Sequence, residues 1–465
     1  MESISEIERN DLEFLHDLAT EYGIEYFNVR MGQGTSTTFS ILNGITKIAR
    51  NGSSRGFSIQ TFKKGGWGLA LGHDFKKKSL EYVFKESAKL AAFSAKYTNE
   101  IYEIPSISVE NNEFEIEQKI PFTQIGADEK IKFLLDLEKN AKIEPRIKTT
   151  RLNYSDGSGE AIYFNGAKFL RMKKSASFMI FESIAKEGVN QQRYHETHGG
   201  LGGFEVMKKR QDLGKAASQN ALELLESTSI KAGKYDIIMD PSLTGTFIHE
   251  AFGHACEADA IIAGESLLVN KIGERVGGKN ITVIDDSTLQ GEFGYSPYDH
   301  EGTKGQKTVL VENGTLKNYL HSLETASKMG KRPTGNARAS GYGSRPIVRM
   351  TNTYLDGGDS SLEEMLEELG NGILCVNWNY GYTDPTDGSF MFKMAKGYLI
   401  EDGKKTQVVR DAAISGMTLD VLDRVQLLGE DVIMDPGHCG KGSQTASVGS
   451  GGPYTLIRDM VLGGQ

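Results

Sequence analysis

Residues 249–259 read His249-Glu250-Ala251-Phe252-Gly253-His254-Ala255-Cys256-Glu257-Ala258-Asp259. A histidine followed at once by glutamate and then by a second histidine is how metallopeptidases set two imidazole ligands and a base on one helix. In such sites a zinc ion lowers the pKa of its water to about 7, and the carboxylate takes the proton. Glu250 is the residue placed for that task. The spacing is unusual, because the histidines stand five residues apart rather than four. On an ideal α-helix that is about 140° of rotation and roughly 7.5 Å of rise, so the two rings diverge. A π-bulge adds one residue to a turn and is frequent at functional sites, and Gly253 would ease it. The spacing therefore predicts a deformed helix if both histidines hold one ion. The competing reading is a regular helix with the histidines on different faces. Against it stands the density of ionisable groups on a segment otherwise made of Leu243, Phe247, Ile248, Ala251, Phe252 and Ala255.

Two histidines do not complete a catalytic zinc site, which takes three protein ligands and leaves a position for water. Cys256, Glu257, Asp259, His438 and Cys439 are the available donors. Cys256 follows His254 by two residues, faces away on a helix, and reads as a small buried hydrophobe. Glu257 follows by three and is close enough to orient the His254 ring from behind. Cys439 lies in Asp435-Pro436-Gly437-His438-Cys439-Gly440-Lys441-Gly442, where the glycines allow backbone to approach an ion. Spacing leaves Cys439 and Glu257 both open as the third ligand. A Cys439 nucleophile assisted by His438 is the weaker alternative, and no Gly-x-Ser-x-Gly stands in a strand-turn-helix context.

The elements that must position these groups follow from the patterning. Asp240 and Pro241 are the cap and first residue of the motif helix, entered from a strand at 235–239. Beyond 266 come short strands and many glycines, with strands expected at 281–285, 307–312, 315–319, 397–401 and 405–409, and a helix near 361–369. The first region reads as a helix at 11–22, strands at 26–31, 38–42, 57–61 and 67–71, and a helix at 79–96. Asn43-Gly44 is a hairpin turn. An acidic linker is expected at 109–121, then a helix at 128–142, strands at 148–154, 160–164, 167–173 and 176–184, and one long helix at 204–226. The fold class is α+β: an N-terminal mixed region of antiparallel sheets and helices, then a strand-rich, barrel-like C-terminal domain carrying the metal-binding helix. The expected units are 1–112, 113–230 and 231–465.

Composition narrows the function. Lys and Arg total 53 against 62 Asp and Glu, a net charge of −9, and the basic clusters are short, so direct nucleic-acid binding is not expected. Three cysteines make no disulfide framework and fit a reducing compartment. The acidic N-terminus lacks a signal-peptide core, and no run is long and apolar enough to span a bilayer, so a cytoplasmic protein away from membranes is expected.

The chain resembles the TldD/PmbA metallopeptidase family, historically called modulators of DNA gyrase, and is most similar to its TldD-type subunits. The resemblance runs over nearly the whole length. It rests on Gly66-Trp67-Gly68, the 249–259 motif, Pro333-Thr334-Gly335-Asn336-Ala337-Arg338, Arg349-Met350-Thr351-Asn352-Thr353-Tyr354, and Cys439-Gly440-Lys441-Gly442-Ser443-Gln444 followed by Val448-Gly449-Ser450-Gly451. It implies zinc on His249, His254 and Cys439, with Glu250 as base. It also implies peptide substrates that are unfolded or extended, and pairing with a TldE/PmbA-like paralogue or with a second copy. Gly442-Ser443 departs from the acidic residue and glycine found in many relatives. The rival readings are a non-catalytic binding or regulatory subunit, and a zinc hydrolase of small molecules. Arg338, Tyr342, Arg345, Arg349, Asp384 and Asp387 are read either as lining a cleft or as forming turns. His195 and His198 could form another metal pair, but the preferred reading is a flexible loop with solvent-facing histidines.

Overall fold

Glycine and small polar residues at 32–36 and 52–56 look like breaks between short strands, yet the chain runs straight through them. In the computed structural model, which describes residues 3–98, 100, 102–105 and 110–464, the strands Tyr26–Leu42 and Ile45–Lys63 form one long antiparallel hairpin. The two-residue turn Asn43-Gly44 closes it, with φ of 52° and 77°. The pattern predicts four short strands in the first region, and three stand there, the third being Gly66–Gly72. The alternation is lost because mid-strand residues pair with equally small partners: Gly34 with Ser54 and Gly159, Thr35 with Ser53 and Ser158, and Ser36 with Gly52 and Gly157. No helix covers them among the described residues, so no apolar face is required there.

This hairpin belongs to a seven-stranded sheet that continues through Ile147–Phe164 and Lys168–Glu187. Asn190–Leu201 pairs antiparallel with the last of these, and Glu110–Glu115 pairs parallel with its beginning. The expected linker thus contains an edge strand, except for Val109, which lies outside the described residues. Acidic composition hides that strand, because its side chains are mostly solvated. One sheet therefore draws on both sides of the expected 112/113 boundary. Two helical layers cover its ends. Leu15–Tyr22 and Lys77–Ser94 bury Leu15, Leu80 and Phe84 against Phe27 and Phe164. Ala127–Ala141 and Leu213–Leu225 bury Leu134 and Leu213 against Phe39, Leu152 and Phe181. The single helix expected at 204–226 is broken into Glu205–Lys208 and Leu213–Leu225. The intervening residues are polar, and Arg210 there pairs with Glu196 and Asp212.

The C-terminal region contains the expected barrel. Gly233–Met239, Thr455–Gly463, Ala413–Met417, Ser389–Glu401 and Gly372–Thr383 pair in that order and close on themselves, which leaves no free edge within the ring. Beside it lies a six-stranded sheet ordered Thr315–Leu316, Lys307–Glu312, Val283–Asp286, Asn352–Leu355, Gln444–Gly452 and Ile433–Lys441. The motif helix fills the space between the two, burying Leu243, Phe247, Ile248 and Phe252 with Ile237, Ile373 and Phe392. Among the described residues no helix is long and apolar enough to cross a membrane.

Candidate metal centre

The site begins with a well-made helix start. Asp240 accepts a hydrogen bond from the Leu243 N–H at 2.9 Å, and Pro241 occupies the first position of the helix Pro241–Phe247. The helix then widens into a π-turn over Ile248–Gly253, in which the His254 N–H donates to the His249 carbonyl. The inserted residue thus lies between the two histidines, and a 3-10 turn, His254–Cys256, follows. The two rings come to 5.4 Å between centroids and stand nearly perpendicular, at 83°. Gly253 has ordinary helical angles, φ −60° and ψ −45°. Its role is clearance rather than conformational freedom, since a Cβ there would lie 2.1 Å from the Met350 sulfur.

Cys439 reaches this pair from the hairpin Ile433–Lys441/Gln444–Gly452, where it sits opposite Ala446. Its Sγ is 3.3 Å from His254 Nε2. One donor atom from each of His249, His254 and Cys439 lies within 4.8 Å of the others. Burial alone would raise the Cys439 thiol, but the two imidazoles beside it bring it down to about 5. His249 is 3% exposed, and among the described residues neither of its ring nitrogens has a hydrogen-bond partner. A buried polar group left so costs roughly 1–3 kcal/mol, and a bound cation would relieve it. Two imidazoles and a thiolate suit zinc, so the residues present fit that ion.

Groups behind the donors hold them in place. Glu257 is fully buried; its Oε2 accepts from His254 Nδ1 at 2.9 Å and from Lys441 Nζ at 3.0 Å. Burial pushes its carboxyl up, and the His254 and Lys441 charges outweigh that and bring it below the usual range. Lys441 also donates to Asp259 at 2.7 Å and to the Val348 carbonyl at 3.1 Å. Arg349, wholly buried, donates to the Cys439 carbonyl and, at 3.3 Å, to that of Gln444. Arg338 donates to the Met350 and Ser447 carbonyls, each at 2.6 Å. Both arginines clamp the hairpin from behind. An arginine inside Ile347-Val348-Arg349-Met350 was the available signal for a buried role; nothing in the pattern marks Lys441. The Glu250 side chain is 38% exposed, with Oε2 3.8 Å from His254 Nε2, so it borders the donors from the solvent side.

The remaining sequence candidates lie apart from the donors. Cys256 is buried in the apolar core. His438 alternates with Cys439 on its strand and packs edge-on against Phe178 and Phe293, at 4.8 and 5.2 Å. Arg345 pairs with Glu324. Tyr342 lies over Gly56 and donates to the Arg55 carbonyl at 2.9 Å, tying the C-terminal region to the first sheet. Asp384 and Asp387 accept from backbone N–H groups two residues on, at 2.9 and 2.7 Å, which is the turn reading. His195 and His198 belong to the strand Asn190–Leu201, not to a flexible loop. Three residues apart, they face opposite sides, and His198 Nε2 is 2.8 Å from the Val206 carbonyl.

A description of the PmbA/TldA metallopeptidase C-terminal domain matches residues 232–464, and one of domain 1 of the same proteins matches 29–91. A metalloprotease of Methanocaldococcus jannaschii is 37% identical over 430 residues, 92% of this chain and 95% of the relative. The chain belongs to the TldD/PmbA metallopeptidase family. A zinc metalloprotease TldD homolog of Saccharolobus solfataricus is 28% identical over 457 residues, 96% of this chain and 98% of the relative. Two solved structures share the fold. One, named as a candidate modulator of a DNA gyrase from Thermotoga maritima, has a TM-score of 0.80 at 22% identity, over 97% of this chain and 99% of that one. The other, TldE from Thermococcus kodakarensis, has a TM-score of 0.79 at 16% identity, over 97% and 100%.

Proposed function

We propose that this chain is a zinc metallopeptidase of the TldD type that hydrolyses peptide bonds in unfolded or extended chains, with His249, His254 and Cys439 as ligands and Glu250 as general base. One observation carries this reading: the π-turn brings a buried, unpartnered His249 beside His254 and Cys439. A zinc ion held there supplies Lewis acidity toward a peptide carbonyl and a water acidified to near neutrality. Glu250, bordering the donors from solvent, accepts the proton of the attacking water on its carboxylate and returns it to the leaving amine nitrogen. Glu257 accepts from His254 Nδ1, which would leave Nε2 of that ring for the ion. Lys441 balances the Glu257 charge.

The strand Ile433–Lys441 is the outermost of its sheet among the described residues, which supports binding of an extended peptide beside Cys439 by backbone pairing. The shared fold of a solved TldE supports pairing with a TldE/PmbA-like paralogue, a second copy being the other arrangement. Three free, buried cysteines are consistent with a cytoplasmic setting.

Elemental mass spectrometry of the purified protein, with peptide cleavage measured alongside, tests the proposal. About one zinc per chain and hydrolysis that disappears in Glu250→Ala, with zinc retained, are expected. Absence of metal after zinc is resupplied would overturn it. Bound zinc without hydrolysis of any peptide would favour the non-catalytic subunit instead.

A further inference from the structure

Behind the hairpin that carries Cys439 lies a cavity of about 490 Å³ that the chemistry above does not use. Its floor is the band of small residues where the long strands cross, among them Gly34, Ser53 and Ser158, and its far wall includes Arg338, Ala446 and Ser447. Small side chains leave this volume open. Ala446 lines the cavity and is the register partner of Cys439, so the cavity wall and this donor lie on adjacent strands of one hairpin.

Its electrostatics run against those of the whole molecule. The chain carries a net charge of −9, yet among the described residues no aspartate or glutamate lines the cavity, while Lys174 and Arg338 do. Lys174 makes no ion pair among the described residues; its Nζ donates to Ser296 Oγ at 2.9 Å and has two further N–H groups to give. Arg338 has both terminal nitrogens committed to backbone carbonyls, so it supplies charge rather than a free donor. The His300 Nδ1 accepts from the Ala339 N–H at 2.9 Å, which leaves a neutral ring its proton on Nε2 as a donor. Ser175 is 2% exposed, and its hydroxyl has no partner among the described residues. A lysine with a purely structural role is ordinarily paired or out in water, because an uncompensated charge near low-dielectric walls is costly. Two cations, spare N–H and O–H donors and no acid together describe a place for an anion, and on a peptide the anion available is a carboxylate.

We propose that this cavity binds a carboxylate of the substrate peptide, with Lys174 as its principal donor, and so favours peptides that carry a C-terminal carboxylate or an acidic side chain near the cut. Only the identity of the ligand rests on the peptidase reading; the anion site is testable without cleavage. Fluorescence anisotropy on the full chain carrying Glu250→Gln would compare one labelled peptide as free acid, as C-terminal amide, and as amide with an internal Glu or Gln. The free acid, or the Glu peptide, is expected to bind about 10- to 100-fold more tightly than its neutral counterpart. Which of the two does so identifies the source of the carboxylate. Lys174→Met should erase that difference without weakening the neutral peptides, and Lys174→Arg should restore part of it. Should Lys174→Met not fold, acetate added to the parent protein separates the same outcomes: it should displace the acidic peptide and leave the neutral one bound. Equal binding of acid and neutral peptides would overturn the site, as would an equal loss for both in Lys174→Met. Cleavage by the unmutated chain, read separately, keeps the two hypotheses distinct. Hydrolysis with no acid preference sinks the site and leaves the peptidase, whereas acid preference with no hydrolysis does the reverse.

Discussion

The 433–452 hairpin borders two sites that handle charge in opposite ways. On the Cys439 side almost every charged group has its counter-charge: Glu257 meets His254 and Lys441, and Lys441 also meets Asp259. What is missing there, among the described residues, is a partner for the ring nitrogens of His249 and for Glu257 Oε1. In the cavity that Ala446 lines the missing partner is a negative charge, because Lys174 and Arg338 line it without an acid among the described residues. The first deficiency calls for an ion that accepts lone pairs, the second for a group that offers them. A folded chain shows where its ligands belong by what it leaves unsatisfied, and the sign of the deficiency names the ligand class.

The comparison is most severely broken at the donors. Cys439→Ala should leave less than about a tenth of the zinc after dialysis, whereas Glu250→Ala should keep the metal and lower kcat by about 10²- to 10⁴-fold. Elemental analysis and steady-state kinetics on the same preparations check both. Lys441→Met comes next. It strips the counter-charge from Glu257 and loosens the group that orients His254, so zinc affinity should fall about 10- to 100-fold in competition with a chelating dye. Gly253→Ala is smaller: it forces a methyl against Met350 and should cost about 1–3 kcal/mol in denaturant unfolding. Adding Met350→Ala should recover part of that cost relative to Met350→Ala alone.

The mildest prediction concerns a third charged region that has neither deficiency. Glu301 is buried beside Asp299 and accepts from the Leu323 N–H at 2.7 Å. Burial, then the Asp299 charge, raises its carboxyl well above the ordinary carboxylate range. The folded state therefore binds a proton that the unfolded state has released. Stability is full below the unfolded pKa and falls as pH rises through the raised folded value. Glu301→Gln keeps the hydrogen bond and should flatten the decline of Tm between about pH 5 and 9, measured by circular dichroism, with about 1 kcal/mol gained at the alkaline end.

Where the physics is local, the sequence was readable. Five-residue spacing between His249 and His254 demanded a distorted helix for convergence, and a π-turn stands between them. A barrel was expected beyond 266 and is present, but of the strands named for it only 397–401 lies in the ring, while 281–285, 307–312 and 315–319 fall in the six-stranded sheet beside it. Three things resisted reading, each for a non-local reason. The long strands were hidden because Gly34, Thr35 and Ser36 pair with residues as small as themselves, so no alternation remains. The strand Glu110–Glu115 looked like a linker because its partner lies far along the chain and its own side chains face water. Arg349 was read as a cleft or turn residue because its acceptors are backbone carbonyls, which leave no trace in a sequence; the Arg349–Cys439 contact spans 90 positions. The Lys174 cavity was unreadable for the same reason, since its walls come from both regions of the chain.

Cys439 stands 185 residues after His254. At translation rates of about 5–20 residues per second, the two histidines leave the ribosome roughly 10–40 s before the sulfur that completes the set. The hairpin bearing that sulfur pairs with Asn352–Leu355, and the contacts of Arg349 and Lys441 fix it. Order of synthesis thus acts as a timer. On the proposed reading, the donor set would be complete only after all the strands from Tyr26–Leu42 to Asn190–Leu201 have been synthesised.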